Sequence, residues 1–372
     1  MQEQQQEQQQ RQRQQAIGVG IIGFGRIGAE HAGWLASASG IQPVAASDPT
    51  PARRAIAQQR GLRAHESVEA LLADEAVDAV LVSTPTAMHL EHASLALRAG
   101  KHVMVEKPMA LDLAGARAIA GLAQDGRRTL SVFHNRRWDV DYLTLKQAID
   151  AGTFGRVINV ESRIGQWASC VGPAAREWRP GWRNEAGFGG GGLYDWGSHF
   201  VDQLWRMMLP ARPVRVFAQL RGNVWTKDCD DFARVLIDFD DGSGSGGAVG
   251  MVEINTTTTR PLPRWHVDGT RGTAESPYSL AFDLETWATL EFAPAPEPAT
   301  EAAGLAEESR LLPRAAGALN ETQIWEQFAA AVRGEGEPAV TAASVLPTMA
   351  LLDAARESSR RGCAIEVDVS PD

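Results

Sequence analysis

The chain has 372 residues, with 36 Lys+Arg against 46 Asp+Glu and a formal charge of −10. At roughly 100–200 residues per domain that is a two-domain length, and 44% hydrophobic with 22% charged residues is a globular composition. It excludes several classes: no apolar run approaches the ~20 residues of a membrane-spanning helix, and the negative balance argues against a nucleic-acid surface. Cys170, Cys229 and Cys363 stand far apart without CxxC spacing, which argues against a zinc site or disulfide framework and fits a reducing cytoplasm.

Residues 1–15 are nearly all Gln, Glu and Arg. They lack the apolar region of a secretory signal and read as a disordered tail. From Ala16 apolar runs alternate with helical stretches. Ile17–Ile22, Ile41–Ser47, Val77–Val82, His102–Val105 and Thr129–Phe133 read as strands. Ala29–Ala36, Pro51–Arg60, Val68–Ala73, His89–Ala99 and Leu113–Ala123 read as helices. This rhythm predicts a doubly wound parallel sheet over residues 16–136, with strands buried on both faces.

Beyond Arg136 the pattern changes. Tyr142–Ile149 reads as a helix, Val157–Gln166 as a strand, Trp167–Gly192 as a long loop and Asp195–Leu209 as a helix. Val214–Leu220, Phe232–Phe239, Ala248–Asn255, Trp265–Asp268 and Trp287–Phe292 follow as strands, and Ala293–Ala318 as a linker. Helices Glu321–Arg333 and Ala342–Arg361 and a strand Ala364–Val369 close the chain. Residues 137–372 are therefore expected to form an α+β domain on a large, mainly antiparallel sheet.

The first motif is Gly23-Phe24-Gly25-Arg26-Ile27-Gly28, between an apolar strand and a helix, with Asp48 at the end of the next strand, 48 − 28 = 20 residues on. In this context GxGxxG predicts dinucleotide binding: the glycines make the turn and admit the pyrophosphate, and the helix N-terminus supplies N–H groups. Asp48 suits a ribose 2′-hydroxyl and repels a 2′-phosphate, favouring NAD. Arg26, Arg53 and Arg54 nearby keep NADP open.

Lys107, in Glu106-Lys107-Pro108, follows a strand at the sheet's ligand-binding end. Later comes Gly189-Gly190-Gly191-Gly192-Leu193-Tyr194-Asp195-Trp196-Gly197-Ser198-His199, then Asp202. The glycines would let backbone approach a ligand. On a helix from Asp195, the residues Asp195, His199 and Asp202 share a face, where a carboxylate beside an imidazole suits a general base. The alternatives are a helix N-cap with a hydrogen-bonded histidine, or a metal site, disfavoured without a second His or Cys at ligand spacing. His89 and His92 lie on the helix after Thr84-Pro85. Trp167, Trp178 and Trp182 cluster with Arg176, Arg179 and Arg183, which suits either a sugar or an oligomer interface.

The fingerprint, Ser83-Thr84-Pro85-Thr86-Ala87-Met88-His89, Glu106-Lys107-Pro108 and Asp195-Trp196-Gly197-Ser198-His199 together resemble the Gfo/Idh/MocA oxidoreductase family from about Ala16 to Asp372. Phe133-His134-Asn135-Arg136-Arg137-Trp138-Asp139 resembles a branch with NADP-dependent scyllo-inositol dehydrogenases. The resemblance implies a Rossmann domain, an α+β domain whose open sheet supports homodimers or homotetramers, and hydride transfer between NAD(P) and a sugar or cyclic polyol. By carry-over His199 resembles the proton acceptor, Lys107 the group that stabilises the substrate oxygen, and Asp195 the residue that positions His199. Thr84, Pro85, His89, Glu106 and Lys107 join the fingerprint and Asp48 as cofactor residues. Asn135, Arg136, Trp167 and Trp178 are candidates for substrate. A sugar–sugar oxidoreductase that retains its cofactor, and a non-catalytic dinucleotide-sensing regulator, are the alternatives within the family.

Overall fold

The computed structural model describes residues 16–168, 181–242, 244, 247–279, 282–296 and 308–369. The Gln-rich tail, Cys170, Arg176, Trp178 and Arg179 lie outside them. The chain divides into two compact units.

The first unit begins with β1 (Ile17–Ile22), α1 (Arg26–Ser37), β2 (Ile41–Ser47), α2 (Pro51–Gln59), β3 (Arg63–His65) and α3 (Val68–Leu72). It continues through β4 (Ala79–Val82), α4 (His89–Arg98), β5 (His102–Val105), α5 (Leu113–Asp125) and β6 (Leu130–Val132). The six strands pair in parallel in the order β3-β2-β1-β4-β5-β6, the doubly wound arrangement with its switch point between β1 and β4. Every residue of β1 and β4 is buried, which is why they read as unbroken apolar runs rather than alternating ones. The edge strand β3 was not expected: three residues carry no periodicity to read.

The second unit contains α6 (Val140–Asp150), β7 (Val157–Gly165), a π-helical turn at Leu193–Gly197, α7 (Ser198–Met207), β8 (Arg212–Arg221), β9 (Phe232–Asp240) and β10 (Val249–Asn255). After these come β11 (Trp265–Gly269), β12 (Gly272–Glu275), α8 (Leu284–Trp287), β13 (Glu291–Pro294) and β14 (Arg310–Leu311). Three elements close the described chain: α9 (Glu321–Val332), α10 (Leu346–Arg361) and β15 (Ile365–Glu366). The nine-stranded sheet runs β14-β13-β12-β11-β7-β10-β9-β8-β15 and is antiparallel except where β10 meets β7. Val235, Ile237, Val252 and Ile254 are buried. They alternate toward α7, where a Cβ on Gly250 would meet Leu204 at 2.7 Å.

Several expectations are corrected. The expected strand Trp287–Phe292 begins as a helix, because Asp283 caps it by accepting from the N–H groups of Glu285 and Thr286; β13 starts only at Glu291. The expected helix Asp195–Leu209 is a π turn followed by α7. The closing strand spans only Ile365–Glu366, and within Ala293–Ala318 the residues Arg310–Leu311 pair with β13. Residues Leu319–Leu346 group with the first unit, although the sequence boundary at 136/137 puts them in the second. The reason is local pairing: the Ser131 hydroxyl donates to Val340 O at 2.8 Å, and Ser131 bridges Thr341 at the free edge of β6. A capping box of Asn320 and Gln323 starts α9, which buries Ile324, Trp325 and Phe328.

Candidate functional site

In the first unit, β1 ends in Gly23 at φ +88°, where a Cβ would meet Thr84 at 2.9 Å. A Cβ on Gly28 would lie 2.2 Å from Gly23 O, so that glycine brings helix against strand. Gly25 differs, because nothing lies within 4 Å of its Cβ position. It is also the N-cap of α1, where no side chain caps the helix. Open space and uncapped N–H groups thus coincide at the point where a pyrophosphate would rest. The Ser83 hydroxyl donates to Gly23 O at 2.8 Å and ties the loop to the end of β4.

Asp48 is 5% exposed. Its Oδ2 accepts from Phe24 N–H and its Oδ1 from Thr50 N–H, both at 2.9 Å, so the carboxylate is pinned beside the fingerprint. The Arg54 guanidinium donates to Asp48 O at 2.8 Å, Pro49 O at 3.0 Å and Glu66 at 2.8 Å. Arg26 pairs with Glu30 at 2.8 Å. Two of the three arginines that kept a 2′-phosphate open therefore have partners within the chain.

The loops after β4 and β5 are tied together by His89. Its Nδ1 lies 2.8 Å from Pro108 O and its Nε2 2.9 Å from Thr84 O. The ring is buried, and burial pushes its pKa down, against the two carbonyl contacts, which raise it. His89 thus holds the loops that carry Thr84, Pro85 and Lys107, with both ring nitrogens turned to backbone. His92 Nδ1 meets the Thr84 hydroxyl at 3.1 Å. Lys107 N–H donates to Glu106 Oε2 at 3.0 Å, while Glu106 Oε1 lies 2.8 Å from His31 Nε2. His31 was missed by the sequence reading. Its only signal was a position on α1 in line with buried Gly28 and Leu35.

In the second unit the π turn carries Asp195, and α7 carries His199, four residues on. π turns are uncommon and recur at functional sites. Asp195 is ion-paired with Arg183 at 3.4 Å, and Arg183 lies 4.4 Å over the Trp182 ring. His199 is 5% exposed. Asp202, expected on the same face, is committed elsewhere: it receives both the Nε and Nη2 of Arg137 at 2.7 Å and the Thr348 hydroxyl at 2.7 Å. It is a buried anchor for α7.

The glycine run also departs from expectation. A Cβ on Gly190 would lie 2.4 Å from Arg183 O, one on Gly191 2.3 Å from Asp230 Oδ1 and one on Gly192 2.9 Å from Ile254. These glycines make room for the protein itself rather than for a ligand. Asp230, unremarked in the sequence, accepts from Leu193 N–H at 2.7 Å through its carboxylate and from Gly192 N–H at 2.8 Å through its carbonyl. It thereby holds the start of the π turn. Its burial pushes the carboxyl up to about 7.

Of the substrate candidates, Arg136 lies 4.2 Å over Phe282 and 5.2 Å over Trp196, and contacts Asp139 at 3.3 Å. Burial likewise pushes Asp139 up to about 7. Asn135 donates to Glu321 at 3.2 Å. Trp167 is 49% exposed and sits edge-on to Trp225 at 4.7 Å. Trp178 lies outside the described residues.

Residues 17–134 match a family model described as "Oxidoreductase family, NAD-binding Rossmann fold", and residues 142–275 match the "GFO/IDH/MocA C-terminal domain". Among curated relatives, the uncharacterized oxidoreductase YdgJ of Escherichia coli (strain K12) is 35% identical over 216 residues, 57% of this chain and 60% of that protein. The scyllo-inositol 2-dehydrogenase (NADP(+)) IolW of Bacillus subtilis (strain 168) is 33% identical over 175 residues, 47% of this chain and 46% of that protein. The chain thus spans about half the length of the curated relatives it matches. An NAD-binding protein from Listeria innocua has the same fold, with TM-score 0.82 and 30% identity over 94% of this chain and 96% of that one.

Proposed function

We propose that this chain, which belongs to the Gfo/Idh/MocA family of oxidoreductases, is a dehydrogenase that moves a hydride between a nicotinamide dinucleotide and a secondary hydroxyl carbon of a sugar or cyclic polyol. The observation that carries the dinucleotide is the open space at Gly25 beside an uncapped helix N-terminus. Gly23, Phe24, Gly25, Arg26, Ile27 and Gly28 would hold the pyrophosphate, Asp48 the adenosine ribose, and the Thr84-Pro85 and Glu106-Lys107 loops the nicotinamide end. When bound, the nicotinamide supplies the hydride acceptor. Support for the substrate class comes from relatives named for inositol.

The chain's own residues handle the proton and the oxygen. His199 accepts the proton of the hydroxyl being oxidised, as an imidazole near neutral pH can. Asp195, ion-paired with Arg183, favours the imidazolium that results. Lys107 donates a hydrogen bond to the substrate oxygen and steadies charge that grows there. Arg136 and Trp167 are the described candidates for holding the polyol.

Asp48 and the committed Arg26 and Arg54 favour NAD over NADP, although IolW is named for NADP. The face of the second sheet turned from α7 carries Phe217, Leu236 and Met251 in register, flanked by the pairs Arg215–Asp238 and Arg234–Glu253. That mixed apolar and charged face is the surface we assign to self-association, and light scattering of the eluted protein measures it.

The central test follows nicotinamide reduction by absorbance across a panel of polyols and sugars. Turnover that disappears in Lys107→Met and in His199→Asn, with dinucleotide affinity kept, is the expected result. Wild-type turnover in His199→Asn would remove that residue from the mechanism.

A further inference from the structure

His31 stands in the first unit with no exposed surface, ringed by Trp34, Phe133 and Trp325 at centroid distances of 4.7, 4.3 and 5.6 Å. Its two nitrogens have unlike partners. Trp325 Nε1–H points at Nδ1 from 3.1 Å. An indole nitrogen can only donate, so Nδ1 must present its lone pair. The ring's proton is then on Nε2, which donates to Glu106 Oε1 at 2.8 Å. An imidazolium would set two N–H groups against each other at Nδ1, and the Nδ1–H tautomer would do so too while turning a lone pair toward the carboxylate. The contacts therefore select one form of the ring, neutral with the proton on Nε2.

The chain of bonds continues to Lys107. Glu106 Oε2 accepts Lys107 N–H at 3.0 Å, so each carboxylate oxygen is engaged by one donor within the same unit. Glu106 is thereby fixed at both ends, and the backbone from which the Lys107 side chain leaves is fixed with it. Both donors beyond Glu106 come from elements remote in sequence, α1 and α9.

We infer that His31 and Trp325 are positioning residues: a histidine locked in one neutral tautomer orients Glu106 and, through it, Lys107. This rests on the reading of Lys107 as the group that binds the substrate oxygen. It assigns His31 no acid–base step, since its one proton is committed to Glu106 and its lone pair to the indole. Misplacing a catalytic group by about 1 Å costs up to ~100-fold in rate, which is the scale on which such a device acts.

The first experiment reads the ring itself. Long-range proton–nitrogen spectra of the full-length protein at about pH 7.5 should show His31 as the Nε2–H tautomer. In Trp325→Phe, which keeps an aromatic ring but lacks the N–H, that selection should be lost and a form with a proton on Nδ1 should appear. An imidazolium or Nδ1–H tautomer in the wild type would overturn the inference. The second experiment is kinetic. His31→Leu should lower kcat at least about tenfold while dinucleotide affinity stays within about twofold. His31→Gln, which keeps a donor and an acceptor, should recover part of that loss; full kcat in His31→Leu, or no recovery in His31→Gln, counts against it. Lys107→Met separates the two readings. If it retains turnover, the role of Lys107 is wrong. If it is inactive while Trp325→Phe and His31→Leu turn over normally, only the positioning relay is wrong.

Discussion

Two glycine-rich segments look alike in sequence and do opposite things. In Gly23–Gly28 the middle glycine faces open space, and the helix it begins has no side-chain cap. In Gly190–Gly192 the space a Cβ would need is filled by Arg183, Asp230 and Ile254. The first leaves backbone bare beside open space, and the second keeps it bare so that the chain can approach itself. Glycine in a functional motif is therefore ambiguous until its Cβ direction is known: an occupied direction implies packing, and an empty one beside a bare helix N-terminus leaves room for a ligand.

The contrast can be broken by mutation. The largest effect is expected for Gly191→Ala, since Gly191 has φ +107° and a Cβ there would lie 2.3 Å from Asp230. Strain and displacement of Asp230 together should cost about 3 kcal/mol or more, read as a lowered denaturation midpoint. A midpoint unchanged from wild type would mean that the run has slack.

Next is the pH response of Asp230, whose folded carboxyl is pushed up to about 7 from an ordinary 3.8. A raised folded pKa contributes stability that is present below the ordinary value and is lost as pH rises through about 7. The loss between pH 5 and pH 8 should be about 3 kcal/mol from this group. Asp230→Asn should flatten that part of the profile in denaturant titrations, and an identical slope in the variant would refute the assignment.

Gly25→Val makes the converse point. With nothing within 4 Å of its Cβ position, the variant should fold with its melting temperature nearly intact but lose dinucleotide affinity by about 100-fold, equivalent to about 3 kcal/mol. Loss of folding instead would place Gly25 with the self-packing glycines. The smallest effect concerns Asp48. Asp48→Ser should reduce the preference for NAD over NADP by about tenfold in kcat/KM, and an unchanged ratio would remove Asp48 from cofactor choice.

The first unit was the more legible in sequence because its strands are buried on both faces and its connections are short. Each strand–helix alternation is then a local fact, and the fingerprint, Asp48 and Lys107 fall at predictable strand ends. The second unit was less so. Trp287 has the apolar, aromatic character of a strand residue, yet Asp283 four residues earlier makes it the end of a helix. Asp195 and His199 were placed on one helical segment, but the π turn between them depends on Asp230, distant in sequence. Spacing alone put Asp202 on the His199 face, and it carried no sign that Arg137 and Thr348 engage its carboxylate.

The sequence by itself determined the parallel cofactor sheet, the mainly antiparallel second sheet and the family, because these rest on periodicity and short motifs that act over a few residues. Only the tertiary structure decided which motif glycines face open space, that Leu319–Leu346 returns to the first unit, and which tautomer the contacts of His31 select. Each of those depends on a partner brought close by folding, from Thr341 at the edge of β6 to the Trp325 N–H at an imidazole lone pair. Buried hydrogen bonds must be satisfied wherever the partner originates in the chain, and no local pattern records that choice.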